Sequence, residues 1–256
     1  MINKKLLTST AIASLMISSV AFAQTNKFAG PSIAISASQV AAETHVNSYT
    51  DSNAYDTVSD FFQEGSNKNA QSSRVGGLDL NYGIAISNNF VLGIGATYDF
   101  GKIKSGKQVN ATFSEDNYES VSNEIISSLK SHRSVYIQPT YVVNKDSAIF
   151  AKIGRHYAKS NTNMTYCQSS SDGYVGDCVD GTEENLSTNK TVSGWGYGLG
   201  LKMFVTDNLF VQAEGSVVNY GRHTSDSDDY SGYDAYLYND AKTKTSNATI
   251  SVGYKF

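Results

Sequence analysis

The last ten residues of the chain, 247–256, read Asn-Ala-Thr-Ile-Ser-Val-Gly-Tyr-Lys-Phe, and their alternation decides the fold class. Apolar side chains occupy every second position, and polar or small ones fill the positions between them. Successive side chains of a β-strand point to opposite faces, so this period of two predicts a strand with one apolar face. A tilted strand needs roughly 9–11 residues to cross a bilayer, and this segment is long enough.

The same alternation recurs from Phe28 onward, and the connections between the alternating segments are short and long in turn. The short connections, residues 87–89, 144–146 and 206–208, are rich in Asn and Asp, which favour tight hairpin turns. The long connections, rich in Ser, Asn, Asp and Tyr, are residues 45–74, 103–131, 160–190 and 222–242. These connections join eight strands. We therefore predict an all-β fold, an eight-stranded antiparallel transmembrane β-barrel with short periplasmic turns and long extracellular loops.

The N-terminus carries an export signal. Lys4 and Lys5 precede a short apolar stretch that ends in Ala21-Phe22-Ala23. A basic start, an apolar segment and an A-x-A site are typical of a signal peptide. We predict a cleaved signal at residues 1–23, a barrel domain at 24–256 and a location in the bacterial outer membrane.

Aromatic residues on the apolar faces favour a membrane barrel over a soluble one, because transmembrane barrels carry aromatic girdles at both interfaces. Tyrosine is abundant, at 17 residues. The predicted lipid-facing aromatics are Tyr98, Phe100, Tyr141, Tyr157, Trp195, Tyr197, Tyr254 and Phe256. Arg155 shares the outward parity near a strand end, where we expect it to reach lipopolysaccharide phosphate. Pro139 lies within an alternating segment, where we expect a bulge or a lost ladder bond.

The terminal Phe256 on an alternating last strand is similar to the recognition signal of bacterial outer-membrane proteins. With the signal peptide and the eight-strand pattern, residues 24–256 resemble the opacity-protein and outer-membrane-protein-X group of small barrels. The resemblance implies a non-enzymatic surface protein that supports the envelope and contacts a host surface or a phage through its loops. It also implies outer-membrane lipid, lipopolysaccharide and the barrel-assembly machinery as partners. The acidic chain, with a net charge of −4, makes nucleic acid an unsuitable partner.

Strand parity also predicts which polar side chains point into the barrel. They are Asp79, Asp99, Gln138, Lys152, His156, Lys202, Gln212 and Glu214. Lys152, Lys202 and Glu214 fall on neighbouring predicted strands, so we expect ion pairs between strands. An eight-stranded barrel holds little more than its own side chains, which favours a plugged polar core. A narrow porin for small solutes or ions is the alternative.

The case for an enzyme depends on the histidines. His132 and Ser134 form a His-x-Ser pair that faintly resembles the dyad of small lipid A deacylase barrels. In that family the dyad faces lipid, whereas parity places this pair inward or at the barrel mouth. No acidic residue has an evident position to orient the histidine. We expect no enzyme activity and no cofactor, with a lipid-modifying enzyme as the weakest alternative.

Two long connections have further features. Cys167 and Cys178 are the only cysteines, and in an oxidising compartment we expect a disulfide. The near-helical spacing of Val121, Ile125, Ile126 and Leu129 predicts a short amphipathic helix. The Tyr- and Asp-rich residues 226–240 form a candidate surface for partner contact.

Overall fold

The computed structural model describes residues 27–52, 71–114, 119–169, 182–221, 223–227 and 235–256. These residues form strands joined by short turns. The strands are β1 (Gly30–Ser52), β2 (Gln71–Ser87), β3 (Phe90–Phe100), β4 (Lys102–Ser114), β5 (Glu119–Val142), β6 (Ser147–Ser169), β7 (Thr182–Phe204), β8 (Leu209–Tyr220), β9 (His223–Ser227) and β10 (Ala235–Lys255). In the described residues, no helix is long and apolar enough to cross a membrane.

The strands close into one antiparallel barrel with eight strand positions around its wall, which confirms the predicted fold class. β4 continues β3 along β5, and β9 continues β8 along β10, so the ten strands fill eight positions around the barrel. The barrel closes where β1 pairs with β10, from Ser32 opposite Lys255 to Ser52 opposite Ala235. Closure satisfies the backbone groups of both edges, which hydrocarbon could not do.

A step in the wall separates β3 from β4. Gly101 has a φ of 117°, and Ser131, on the facing strand β5, has a φ of 52°. The ladder between β5 and β6 shifts at the same level, between Lys130 and Arg133. Glycine adopts positive φ without steric cost, so Gly101 allows the chain to leave β3 and continue as β4.

The strands reach far into the segments predicted as long connections, which corrects the predicted boundaries. β1 extends to Ser52, β6 to Ser169, and β10 begins at Ala235. Cross-strand pairing continues along these polar segments because backbone hydrogen bonds do not require an apolar face. The residues that join the strands at this end, 53–70, 115–118, 170–181 and 228–234, lie outside the described residues.

The predicted helix around Val121–Leu129 was wrong, because this segment belongs to β5. Ile125 pairs with Gln108 on one side and with Met164 on the other. Pairing on both sides, together with the β-branched valine and isoleucines, overrides the helix-like spacing. Near Pro139, pairing with β6 runs to Ile137 opposite Ile153 and resumes at Thr140 opposite Phe150 in the same register. The ladder is therefore interrupted without a bulge.

Apolar side chains cover the outward face of the wall, while the inward face is mixed. Ile35, Leu199 and Ile250 point outward and are 67%, 71% and 68% exposed. Two buried apolar clusters lie inside, one near each end. The turn-end cluster, beside the short turns, contains Phe28, Ala34, Val91, Val142, Ala148, Phe204 and Phe210. The loop-end cluster contains Val40, Ala42, Val75, Ile103, Leu129, Ala158, Val192, Val218 and Tyr220.

Candidate functional site: the polar layer inside the barrel

A lysine and two carboxylates from three strands form an ion-pair cluster between the two apolar clusters. Lys152 Nζ lies 2.7 Å from Glu214 Oε2 and 3.2 Å from Asp79 Oδ2. Asp79 also accepts a hydrogen bond from the Tyr136 hydroxyl, and the Tyr136 ring centroid is 4.3 Å from Lys152 Nζ. These side chains are largely withdrawn from solvent, so each charge is compensated by its neighbours rather than by water.

A glycine on β7 allows this cluster to form. Lys152 and Glu214 lie on β6 and β8, which are separated by β7. Gly198 is opposite Lys152 in the register, and a Cβ on Gly198 would meet Glu214 Oε1 at 2.9 Å. The missing side chain therefore gives the lysine and the carboxylate the space in which they meet.

A second network joins Asp99 to two stacked histidines. The Asp99 carboxylate accepts from His132 Nδ1, and His132 Nε2 lies 3.0 Å from His156 Nδ1. The two imidazole centroids are 5.1 Å apart with nearly parallel rings. Asp99 thus orients His132, a role for which the sequence offered no evident residue.

The His132–Ser134 dyad does not form. Both side chains are buried inside the barrel, and the His132 nitrogens are occupied by Asp99 and His156. The Ser134 hydroxyl is 2.6 Å from Thr97 Oγ1. This arrangement points away from lipid and leaves the serine without its activating base, so it lacks the geometry of a deacylase.

The structure places all eight predicted interior side chains on the inward face, although not all of them pair as expected. Lys202 packs its Nζ 4.3 Å from the Phe210 ring centroid instead of joining the ion pairs. Gln138 and Gln212 are buried on the same face. Asp79, Asp99, Lys152, His156 and Glu214 form the two networks described above.

The polar layer lies between the two apolar clusters. The cavity beside the polar layer measures about 50 Å³ and is lined by residues of both networks, among them Asp79, His132 and Glu214. A space of this size holds only a few water molecules. The polar layer is therefore filled largely by its own side chains.

A charged clamp holds the chain ahead of β1 against the short turns. Lys27 Nζ lies 2.8 Å from Asp146 Oδ1 and 2.8 Å from Asp207 Oδ1. Hydrogen bonding to these carboxylates raises the pKa of Lys27, and Lys27 in turn lowers the pKa of Asp207. Beside Lys27, Phe28 packs edge-on against Phe204, with centroids 5.0 Å apart. The clamp thus fixes Phe28 in the turn-end cluster.

All eight predicted girdle aromatics lie on strand faces that point outward, or at the chain end. Tyr98, Phe100, Tyr141, Trp195, Tyr197, Tyr254 and Phe256 are exposed, and Tyr157 is half-buried. Arg155 donates to Ser193 Oγ at 2.7 Å, and its guanidinium lies 5.6 Å from the Trp195 ring.

The expected disulfide stays a prediction. Cys167 falls in β6, while Cys178 lies outside the described residues. No group of three or more histidine, cysteine or acidic side chains within the described part of the chain is arranged to hold a metal ion.

The comparisons with known proteins agree with this architecture. The family described as outer membrane protein beta-barrel domain matches residues 9–256. The chain belongs to this family. The resemblance to small outer-membrane barrels is thereby confirmed, as is the bacterial outer membrane as the protein's location.

The individual proteins to which the chain is similar share only part of its sequence or its fold. The outer membrane protein PagN of Salmonella typhimurium is 33% identical over 76 residues, which are 30% of this chain and 31% of PagN. The match thus spans about a third of PagN. The crystal structure of OprG from Pseudomonas aeruginosa shares the fold, with a TM-score of 0.50, 10% identity and coverage of 91% of this chain and 98% of OprG. The structure of Ail, the attachment invasion locus protein of Yersinia pestis, aligns with a TM-score of 0.38, 15% identity and coverage of 89% of this chain and 99% of Ail.

Proposed function

We propose that this protein is a non-enzymatic surface-contact protein, in which a sealed barrel anchors strands that project from the cell. The observation that carries this proposal is the length of the strands. β5, β6 and β7 contain 24, 23 and 23 residues, more than twice the roughly 9–11 that span a bilayer. The surplus lies at one end, where β6 and β7 remain paired as far as Gln168 opposite Thr182.

The topology supports an orientation with the projecting end outside. The first and last strands begin and end beside the short turns, where Gly30 and Lys255 lie. A chain that enters through the periplasm after removal of residues 1–23 would keep both termini on that side. Phe256 would then face the barrel-assembly machinery during insertion, and the projecting strands would meet a host surface, another cell or a phage.

The interior supports a structural role more than transport or catalysis. The polar side chains of the lumen bond one another, and apolar clusters lie on both sides of them. A porin needs a continuous water path, and a lipid-modifying enzyme needs its reactive groups toward lipid. The filled polar layer and the inward-facing His132 and Ser134 therefore favour a structural role.

Shortening the projecting hairpins tests the proposal. In the β6–β7 hairpin, residues 164–186 are replaced by Asn-Gly between Asn163 and Ser187, which lie opposite each other in the register. Asn-Gly forms the tight turn that suits such a hairpin. In a second variant, residues 108–125 between Lys107 and Ile126 are replaced in the same way.

Bacteria that express the full chain, either shortened chain or a Lys145→Gln control at a short turn are compared for attachment to cultured host cells. Surface labelling and heat-modifiable gel migration verify that each barrel is inserted and folded. We expect attachment to fall in at least one shortened variant and to persist in the control. Undiminished attachment by both shortened barrels at normal surface levels would sink the proposal.

A further inference from the structure

Three lysines on three adjacent strands lie directly opposite one another on the outward face. Lys102 on β4 pairs with Lys130 on β5, and Lys130 pairs with Lys159 on β6. All three side chains are exposed. Residues directly opposite in an antiparallel pair have Cβ atoms about 5 Å apart, and like charges at that distance destabilise the sheet.

Further cations surround this lysine row. Arg133 lies on the outward face of β5, one register step toward the turn end, between Tyr98 and Tyr157. Lys104 is exposed on β4, and its backbone N–H donates to Ser73 Oγ at 2.9 Å, which brings β4 beside Arg74 of β2. We call this set the basic band; it comprises Arg74, Lys102, Lys104, Lys130, Arg133 and Lys159.

The described side chains on the wall of the basic band include no acidic counterpart to it. Among the side chains the structure describes, the outward faces of β3, β4, β5 and β6 carry no aspartate or glutamate. Nor do the three lysines of the row form an ion pair with any described residue. The opposite wall differs, because there Lys244 lies opposite Glu43 in the register of β1 and β10. Within this described part, positive charge without an acidic partner is therefore concentrated on one side of the barrel.

The level of the band indicates which anion would compensate it. Tyr98 and Tyr157 mark the aromatic girdle, and the lysine row lies next above it, toward the loop end. Directly below, Val135, Ile137 and Ile153 are exposed apolar side chains on the same wall. A ligand that fits this surface has a phosphate head at the lysines and acyl chains along the apolar strands.

We propose that the basic band is a binding site for the phosphate groups of an acylated phospho-glycolipid in the outer leaflet. The lipid supplies the negative charge that the wall lacks, and it converts repulsion along the lysine row into attraction. The inference rests on the proposed function only in placing the projecting end of the barrel outside.

The test uses matched variants of the refolded mature chain in lipid nanodiscs. Lys130→Gln/Lys159→Gln removes two charges from the band, and Lys242→Gln/Lys244→Gln removes two charges from the opposite wall. The probes are diphosphorylated lipid A, the same lipid after phosphatase treatment, inorganic phosphate and soluble heparin. Binding is followed by the fluorescence of Trp195, the single tryptophan, and by native mass spectrometry.

We expect the band variant to lose about tenfold or more in affinity for diphosphorylated lipid A, since each juxtamembrane cation strengthens binding to anionic lipid severalfold. The opposite-wall variant should bind nearly as the wild type does. Phosphatase-treated lipid should bind the wild type and the band variant equally weakly. Inorganic phosphate should not compete below concentrations that simply screen charge.

A second readout is the stability of each barrel against urea. Without phosphorylated lipid, Lys130→Gln/Lys159→Gln should match or exceed the wild type in stability, because a repulsion has been removed. With the lipid present, the wild type should be the more stable of the two. A merely structural role of the lysines predicts no such reversal.

Several outcomes would overturn the inference. They are equal lipid affinity of the band and opposite-wall variants, full competition by inorganic phosphate, and heparin binding that depends on the band while lipid binding does not. The assay contains no host cells, so loss of attachment by the shortened hairpins and loss of lipid binding by the band variant are separate results.

Discussion

Lys152 and Lys202 show two ways of holding an ammonium group inside the barrel. Lys152 is compensated by Glu214 and Asp79, whereas Lys202 is packed over the Phe210 ring. Both side chains are buried on neighbouring strands of the same wall. They form a natural pair for measuring what compensation contributes to stability.

Lys152→Met should lower the free energy of unfolding by about 3–5 kcal/mol, because it leaves two buried carboxylates without their cation. Lys202→Met should change it by about 1 kcal/mol or less in either direction, because it removes a buried charge that has no carboxylate in contact. Urea unfolding of both variants in lipid vesicles measures the two values. Equal losses would show that the ion-pair cluster adds nothing specific.

Two glycines on neighbouring strands provide a second matched pair. Gly196 faces inward, where a Cβ would collide with the His156 ring, while Gly215 faces outward with nothing within 4 Å of the added atom. Gly196→Ala should cost about 1–3 kcal/mol through overpacking. Gly215→Ala should be neutral or stabilise by up to about 1 kcal/mol, since alanine loses less entropy in a strand. Thermal unfolding in the same detergent tests the sign of both effects.

At the level of strands, the faces could be predicted and the networks across them could not. Alternation within β3 places Asp99 on the inward face, and alternation within β5 does the same for His132. Their contact depends on the stagger between β3 and β5, which the step at Gly101 and Ser131 helps to set. A more systematic comparison of inward charges on neighbouring strands would have found Asp99 as a partner for His132.

The strand ends were also harder to predict, because they too depend on pairing between strands. Polar segments such as residues 160–169 have no apolar period, yet they pair along their length because a neighbouring strand is already in register. The helix expected near Ile125 was wrong because local spacing carries no information about partners at both edges. Predictions from the sequence were therefore best where lipid imposes a pattern and poorest where only backbone pairing acts.

The clamp between Lys27 and the aspartates of the short turns gives the stability of the barrel a defined pH dependence. The pKa of Asp207 lies below its usual 3.8, so the clamp's stabilisation is complete above that value and disappears as pH falls through the lowered pKa. The pKa of Lys27 lies above its usual 10.5, so the stabilisation persists below that value and is lost as pH rises through the raised pKa.

We therefore expect the stability difference between the wild type and Lys27→Met to be constant from about pH 5 to 9 and to shrink outside that range. Lys145→Met is the control, because Lys145 is 88% exposed and lies 3.9 Å from Asp146 Oδ2. Urea unfolding across the pH range measures both differences. A difference that varies strongly near neutral pH would contradict the assignment of the clamp.

Considered as a whole, the molecule has a lumen that alternates between apolar and polar layers. The turn-end cluster, the polar layer and the loop-end cluster follow one another along the barrel axis. An ion that entered from either side would meet an apolar layer before reaching a charge that could solvate it. We therefore expect each apolar layer to oppose conduction independently of the other.

The refolded barrel should consequently give no steady channels in a planar lipid bilayer. Phe28→Ala/Phe210→Ala, which loosens only the turn-end cluster, should also remain silent because the loop-end cluster stays intact. An open porin reconstituted in the same bilayer serves as the positive control. Reproducible unit conductance from the wild type would restore the porin alternative and make Lys152, Lys202 and Glu214 pore residues.

The long strands also determine how the protein responds to mechanical force. A partner that pulls on the projecting end draws each strand along its own axis, while the hydrogen bonds of the ladder run across that axis. When the β6–β7 hairpin is pulled at its tip, the hydrogen bonds that join β6 to β5 and β7 to β8 are loaded together in shear rather than one after another. Tension at the tip is thus shared along the whole hairpin and carried down into the wall within the membrane, as a tether requires.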